Sequence, residues 1–492
     1  MNASSTATEM APIVLTNEQL RQFVTNGYLL LQSQLPAEFH EQIFNKLEHL
    51  QAGSGHFGNN LIPMLPQLNE LIQEPIVRGA LTSILGDQYS FHAHRALHTN
   101  PPGSPEQAWH KDSYWGYTRR VRNHRPWWAM LMYYPQKTKN SMGPTGLLAG
   151  SQYFHQLLPK ECREVASSGK AGTLLLIHYD LWHRKMLNTS KLDRYMIKLQ
   201  FTRLLPPNKC REEKTPKWRR PKHRPEFDLN PIWESTWHWL HGTESTHKSH
   251  PEKSRQPELE PALLGDSEIL SLDAAFKLSQ SARAGNEEAL HILSSAMNTN
   301  TTANDNTKRY SDSGAHWRKD SAARSAAHGM AHIGESALET LRQLCRSGSP
   351  IGRKHAVFAL GEIGTLKAQD TILRCVNDPD IHVIISAVEA LGLTPPTIRA
   401  TKALIECLRH PESEIRFDAA LSLLRFAANP NCVLKSKMVS ALAVSLQDSN
   451  RYVCAYAAEA LERLATKEAL EALLPFLTNA RWCAHTDNTH PF

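Results

Sequence analysis

The apolar positions of this chain change their period twice. At the start, Leu20, Phe23 and Val24 recur at helical spacing behind Thr16 and Gln19, which have the spacing of a capping box, and Gly27 follows where a helix would stop. The pattern predicts a helix opening at Thr16, and "GYLLLQ" after it reads as an entering strand. From Phe91 to Leu205 the text changes to short apolar runs separated by Gly, Pro and Asn: "WWAMLMYYP", "GPTGLLAGSQ", "GTLLLIHYDLWH" and "RYMIKLQF". This is the rhythm of an all-β sandwich or barrel. Pro206 to about Pro261 is rich in Pro, Lys, Arg, His and Glu and reads as a connection. Within it, Trp233, Trp237 and Leu240 fall at helical spacing, predicting a short amphipathic helix that packs on a neighbouring domain.

Beyond that point the period is helical and repeats. "AAFKLSQSA", "AAHGMAHIG", "AVFALGEIG", "AVEALGL", "AALSLLRFA" and "AAEALERLA" recur, each followed by a second apolar helix such as "ALETLRQLC" or "ATKALIECL". Aligning Met330, Leu360, Leu391, Leu423 and Leu461 gives a period of roughly 30 to 40 residues, that of paired-helix solenoids. The region from Leu263 to about Leu477 resembles HEAT repeats, with the polar insert "NTNTTANDNTKRYSDSG" as a loop between the first two units. The expected organisation is a tail over 1–14, a β domain over 15–205, a basic Pro-rich connection over 206–261, an all-α HEAT-like solenoid over 262–480 and a tail over 481–492.

With 492 residues the chain exceeds one ordinary core, and 41% hydrophobic with 21% charged residues fits a soluble globular protein. No stretch approaches the roughly 20 apolar residues that span a bilayer, and no charged start with an apolar run marks a signal peptide, so a cytoplasmic protein without membrane partners is expected. The net charge of +7 is partly concentrated between Lys214 and Pro225. No recognisable nucleic-acid module accompanies it, so a solvated linker is the better reading and a nucleic-acid partner is not expected. Eight cysteines are scattered without a CxxC pair, which argues for reduced thiols over a structural zinc site.

The candidate chemistry lies in the β region. A mononuclear iron that activates oxygen needs three protein ligands on one face and open positions for co-substrates, a set that two His and one carboxylate satisfy. In "AWHKDSYW", His110 and Asp112 are two apart and so share a strand face. His183, at the end of "LLLIHYDLWH", supplies a third ligand from a distant strand. His178 and Asp180 form a rival HxD in that same run. They would need a further His elsewhere and would leave Arg194 on the wrong side of the site, so they rank second. In "DRYMIKLQF", Arg194, Met196, Lys198 and Gln200 alternate with Tyr195, Ile197, Leu199 and Phe201, giving one polar and one apolar face. An arginine on such an inner face suits the far carboxylate of 2-oxoglutarate, which it can grip in a bidentate pair.

From Leu15 to about Leu205 these segments resemble the phytanoyl-CoA dioxygenases. "LTNEQLRQFVTNGYLLL" looks like the family's opening helix and strand, "WHKD" its HxD, "GPTGLLAGSQ" its Gly-rich turn, and "GTLLLIHYDLWHRKMLNTSKLDR" its distal His, Asn and Arg. The resemblance implies a jelly roll (double-stranded β-helix) with flanking helices that binds Fe(II) through His110, Asp112 and His183. It further implies 2-oxoglutarate held by Arg194 with Asn188 nearby, and O2 as the second co-substrate. The implied reaction hydroxylates an organic small molecule with release of succinate and CO2; the intact Asp112 favours hydroxylation, since related halogenases carry a small residue there. The chain departs from the family at Ala149 and Gln152, where a "PGSH" pattern has Pro and His, at Lys185, where several relatives have Ser, and at Asn100, where some carry Lys.

After the HxD, "YWGYTRRVRNHRPWW" is aromatic and basic. Trp115, Tyr117, Arg119 and Arg122 are candidates for a loop that recognises an anionic substrate, the alternative being a solvated loop with Arg stacked on Trp. The repeats add a second class of function, because solenoids present a long concave surface for protein partners. The alternative to an enzyme is therefore a HEAT-repeat interaction scaffold with an inactive dioxygenase fold.

Overall fold

The computed structural model describes residues 10–54, 60–112, 120–208, 216–243, 256–298 and 321–479. Trp115, Tyr117 and Arg119, the polar insert after Asn298, and the last segment lie outside the described residues, as do the first nine residues.

The opening helix α1 (Asn17–Asn26) forms because both ends are capped. Thr16 accepts from the Gln19 backbone N–H while the Gln19 side chain accepts from the Thr16 N–H at 2.9 Å. Gly27 then takes φ +76°, and a Cβ there would meet Gln152 Oε1 at 2.4 Å, so the turn into β1 (Tyr28–Gln32) needs glycine twice over. Four helices follow: α2 (Ala37–Ser54), α3 (Leu61–Met64), α4 (Leu68–Gln73) and α5 (Pro75–Leu85). The strands are β2 (Tyr89–Phe91), β3 (Ala96–Asn100), β4 (Trp128–Tyr134), β5 (Thr145–Leu148), β6 (Glu164–Ala166), β7 (Thr173–His178), β8 (His183–Lys185) and β9 (Arg194–Arg203).

They make two antiparallel sheets. The larger runs β1-β7-β4-β9-β2 with β3 also on β9, and the smaller runs β6-β5-β8. Spatial neighbours are far apart in sequence, as in a jelly roll. One face of the larger sheet, including Leu131, Tyr133, Leu174, Ile197 and Phe201, packs under the flanking helices. The opposite face, with Met130, Met132, Leu175, Ile177 and Met196, meets Leu147 of the smaller sheet. Strands covered on both sides read as unbroken apolar runs. This explains why all six residues of β7 are buried.

Helix α6 (Asn230–Leu240) buries Trp233 and Trp237 completely and packs against α1. It leads to α7 (Gln256–Leu264) and then to twelve helices in two layers. The inner layer is α8 (Glu268–Arg283), α10 (Ser321–Ile333), α12 (Pro350–Ile363), α14 (Ile381–Leu391), α16 (Ser413–Ala428) and α18 (Arg451–Leu464). The outer layer is α9 (Glu287–Met297), α11 (Leu338–Ser347), α13 (Leu366–Cys375), α15 (Ile398–Cys407), α17 (Lys435–Ser445) and α19 (Lys467–Asn479). Each inner helix packs on the next inner helix, the arrangement of a HEAT-like solenoid. Small residues permit the close stacking: a Cβ on Gly361 of α12 would stand 2.7 Å from the Ala390 Cβ of α14. Among the described residues no helix is long and apolar enough to cross a membrane.

The inner helices of the solenoid meet the jelly roll. Helix α16 is buried on every side, Glu414, Asp418 and Arg425 included. Glu268 of α8 accepts the backbone N–H groups of His155 and Gln156 at 2.8 and 2.7 Å. His328 of α10 stacks face to face on His124, ring centroids 3.5 Å apart. Glu362 of α12 meets Arg125 and accepts from Trp127 Nε1, and Glu459 of α18 accepts from Ser90. The inner layer thus serves as a second wall for the jelly roll.

Burial holds this interface uncharged at its histidines. It pushes His328 down to about 3, with His355 and nearby arginines adding to the effect. The unfolded chain takes up that proton near 6.5, the folded one only near 3, so His328 subtracts stability as pH falls between those values. Relative to a His328→Asn variant, the parent is expected to lose about 2 kcal/mol by pH 5, at about 1.4 kcal/mol per pH unit. Urea midpoints of the two proteins across pH 4.5 to 7.5, values chosen as roughly bracketing that window, check this; parallel curves would exclude it.

Candidate metal centre

The HxD segment is not part of a long strand. It is fastened to β8 by one reciprocal backbone pair: the His110 N–H donates to the His183 carbonyl at 3.0 Å, and the His183 N–H to the His110 carbonyl at 2.9 Å. Residues opposed in this way send their side chains to the same side of a sheet. The imidazoles accordingly lie with ring centroids 4.4 Å apart, and Asp112, two residues on, joins them. Lys111 between them points the other way and donates to the carbonyls of Ser151 and Phe154.

The donor atoms are prepared for a cation. His110 Nδ1 lies 3.1 Å from the Ala108 carbonyl and His183 Nδ1 lies 3.0 Å from the Leu181 carbonyl. A carbonyl only accepts, so each Nδ1 carries its proton and each Nε2 keeps a lone pair. Both Nε2 atoms look at Asp112 Oδ1, at 4.0 and 3.9 Å. Two ligands each about 2.1 Å from an ion lie at most about 4.2 Å apart, so these separations are within one ion's reach. The three donors, all within 4.8 Å of one another, are the one such cluster among the described residues. Burial, helped by His110, brings His183 down to about 4, which keeps it neutral at neutral pH. Burial by itself would raise the Asp112 carboxyl, but the Lys198 ammonium and His183 hold it well below the usual carboxylate range.

Lys198 is the residue whose part in the site was least evident from sequence. Its Nζ donates to Asp112 Oδ2 at 2.7 Å, leaving Oδ1 turned to the histidines. The alternation along β9 had already put it on the face of Arg194. His98 on β3 carried no signal: it is opposed to Met196 across the ladder, and burial, with Lys198 next, lowers it to about 3.

Arg194, Lys198, His98, Met132 and the three donors line one cavity of about 290 Å³. This is at the small end of ligand pockets, which run from about 300 to 1,000 Å³. Arg194 is 1% exposed and donates only to the carbonyls of Gly143 and His98, at 3.2 and 3.3 Å. No carboxylate among the described residues pairs with it.

Two other candidates occupy different places. Asn188 does not line the cavity: its amide donates to the Asn100 and Leu192 carbonyls at 2.6 and 2.9 Å, and its oxygen accepts twice from Ser190. All its capacity goes to shaping the turn before β9. Arg122 is buried rather than on an open substrate loop, paired with Asp180 and donating to the Asp112 carbonyl at 3.0 Å. The same pair commits Asp180 of the rival HxD. His178 is brought down to about 4 by burial, against the pull of Asp180.

Comparison with known proteins gives the following. The HEAT-repeats family model matches residues 338–425, and the model for the PBS lyase HEAT-like repeat matches residues 453–479. The helical part carries HEAT repeats. No curated protein matches the chain. Among solved structures it is similar to SnoK, a non-heme alpha-ketoglutarate dependent carbocyclase from nogalamycin biosynthesis, at 15% identity over 40% of this chain and 88% of that one, TM-score 0.33. It is similar also to EctD from S. alaskensis, solved with 2-oxoglutarate and 5-hydroxyectoine, at 18% identity over 44% and 86%, TM-score 0.33. HygX from Streptomyces hygroscopicus matches at 14% identity over 39% and 87%, TM-score 0.31. Likeness at these scores bears no functional weight, and the jelly roll rests on the strand order described above.

Manganese(II) at a hundredfold excess over its dissociation constant should stabilise the parent by about 2.7 kcal/mol. His110→Ala and Asp112→Ala should lose that gain, and His178→Gln should keep it. Thermal melts with and without metal decide the matter, and the reverse pattern would move the centre to the rival pair.

Proposed function

We propose that the chain is an Fe(II)- and 2-oxoglutarate-dependent dioxygenase of the phytanoyl-CoA dioxygenase kind that hydroxylates an organic small molecule. His110, Asp112 and His183 hold the metal, and Arg194 holds the co-substrate. The observation that carries this reading is the buried Arg194 guanidinium, which has no carboxylate partner and opens on the cavity where the three donors converge. A cation so placed is costly unless a ligand supplies the anion. A dicarboxylate that reaches from the donor triad to Arg194 satisfies both ends of the cavity.

Bound iron supplies what no side chain here can: coupling the decarboxylation of 2-oxoglutarate by O2, with release of succinate and CO2, to oxidation of a second molecule. The chain's own residues orient and enclose. Lys198 fixes the rotation of the Asp112 carboxylate. The two Nδ1–H donors fix the imidazole planes, and Met132 and Met196 keep the walls apolar so that the Arg194 charge acts in a low dielectric.

Anaerobic addition of Fe(II) and 2-oxoglutarate should give the visible charge-transfer band of a chelated keto acid, and air should then release succinate. Absence of the band in folded protein would favour a scaffold role. Arg194→Met should weaken 2-oxoglutarate by about 2–5 kcal/mol, roughly thirtyfold or more, while metal affinity stays within about a factor of three.

A further inference from the structure

Between the metal ligand Asp112 and strand β4 the chain carries four arginines, Arg119 lying outside the described residues, and the described part, from Arg120 to Trp127, runs between the metal centre and the inner helices of the solenoid. Arg122 faces the centre, joined to Asp180 and to the carbonyl of Asp112. Arg120, two residues earlier, faces α16 and α14. Its Nη2 donates to both oxygens of Asp418 at 2.8 and 2.7 Å, its Nη1 lies 3.0 Å from Glu389, and its Nε lies 3.8 Å from Glu414. Arg125 meets Glu362 of α12 at 3.2 Å, and the neighbouring Trp127 donates to the same carboxylate at 3.0 Å. Arg425 of α16 lies over the Trp127 ring at 5.3 Å.

The electrostatics make this an obligatory connection. Asp418 and Glu414 have side chains 0% and 1% exposed, so two carboxylates of α16 converge where water cannot separate them, with the half-buried Glu389 of α14 beside them. Without the Arg120 guanidinium they would repel one another at low dielectric. Two steps of about 3.8 Å separate Arg120 from Arg122, so anchoring Arg120 limits how far Arg122, which donates to the Asp112 carbonyl, can move.

The geometry points to the solenoid as a working part of the metal centre: Asp418, through Arg120 and Arg122, positions the metal ligand Asp112. This inference rests on the metal reading above and extends it, since residues more than three hundred positions from the ligand then set its placement. Asp418 is a positioning residue, acting through Arg120 and Arg122 and not on the bound groups themselves. It also gives the inner face a task inside the chain.

The test uses the full-length protein and manganese(II) affinity, read by electron paramagnetic resonance, alongside the melting temperature. Asp418→Asn and the milder Glu389→Gln should each weaken manganese(II) by about fivefold or more. The exchange Arg120→Asp with Asp418→Arg should restore most of the loss. Ser90→Ala, which removes a contact of the same interface on α18, should lower the melting temperature and leave manganese(II) affinity at the parent value. Parent-like affinity in folded Asp418→Asn, or an equal loss in Ser90→Ala, would overturn the inference. A parent that binds no manganese(II) would instead remove the metal reading, and this inference with it.

Discussion

The candidate centre depends on a single pair of backbone hydrogen bonds, those exchanged by His110 and His183. The HxD segment has no strand of its own to hold it; before the bridge only the Gln107 N–H, donating to the Lys185 carbonyl at 2.8 Å, ties it to β8. Because the two residues are directly opposed, their imidazoles must emerge on one side. The i, i+2 rule then brings Asp112 to the same side without further instruction. The Nδ1–H bonds to Ala108 and Leu181 repeat the same local solution on both strands, each ring tied to the carbonyl two residues back. Three donors are thus aligned chiefly by main-chain geometry, which is stiffer than any side-chain contact that might have replaced it.

Around this frame the charges are arranged by what is absent as much as by what is paired. Asp112 is satisfied by Lys198 on its outer oxygen and is turned toward the histidines on the inner one. Arg194, one strand face further along, is held only by carbonyls. The cavity therefore presents an acceptor set at one end and an unbalanced guanidinium at the other. That polarity is what the proposed dicarboxylate co-substrate requires. The same low dielectric that makes Arg194 a demanding group makes the Arg120 cluster a firm one, because a guanidinium against the two buried carboxylates of α16 leaves little freedom to either side. Ion pairs at α12, α14 and α16, and hydrogen bonds or ring stacking at α8, α10 and α18, join the two parts along one interior boundary.

Much of the fold was legible from sequence because it follows from local rules. The Thr16 and Gln19 spacing gave the capping box that forms, and Gly27 the left-handed stop. The alternation of β9 separated a polar face carrying Arg194, Met196 and Lys198 from an apolar one carrying Ile197, Leu199 and Phe201. The repeat of Ala-rich and Leu-rich helices gave the layered solenoid. Where reading fell short, the missing information was three-dimensional. Lys198 could as well have been a solvated lysine on an outward face, and only the fold placed its ammonium against Asp112. Arg122 stands in a segment so aromatic and basic that a substrate loop was a natural expectation, yet Asp180 lies close enough to claim it. Asn188 keeps a suggestive spacing to His183 and Arg194, but its amide is consumed by the turn it stabilises.

The sequence by itself determined the kinds of element, their order and the residue types able to bind a metal and an anion, because helix caps, strand alternation and repeat period are set by neighbours along the chain. Only the tertiary structure decided which HxD meets a second histidine, which arginine is left without a carboxylate among the described residues, and that the solenoid's inner helices pack on the jelly roll. Those outcomes depend on strand register and on burial, quantities that arise when distant segments share one interior and that no local pattern encodes.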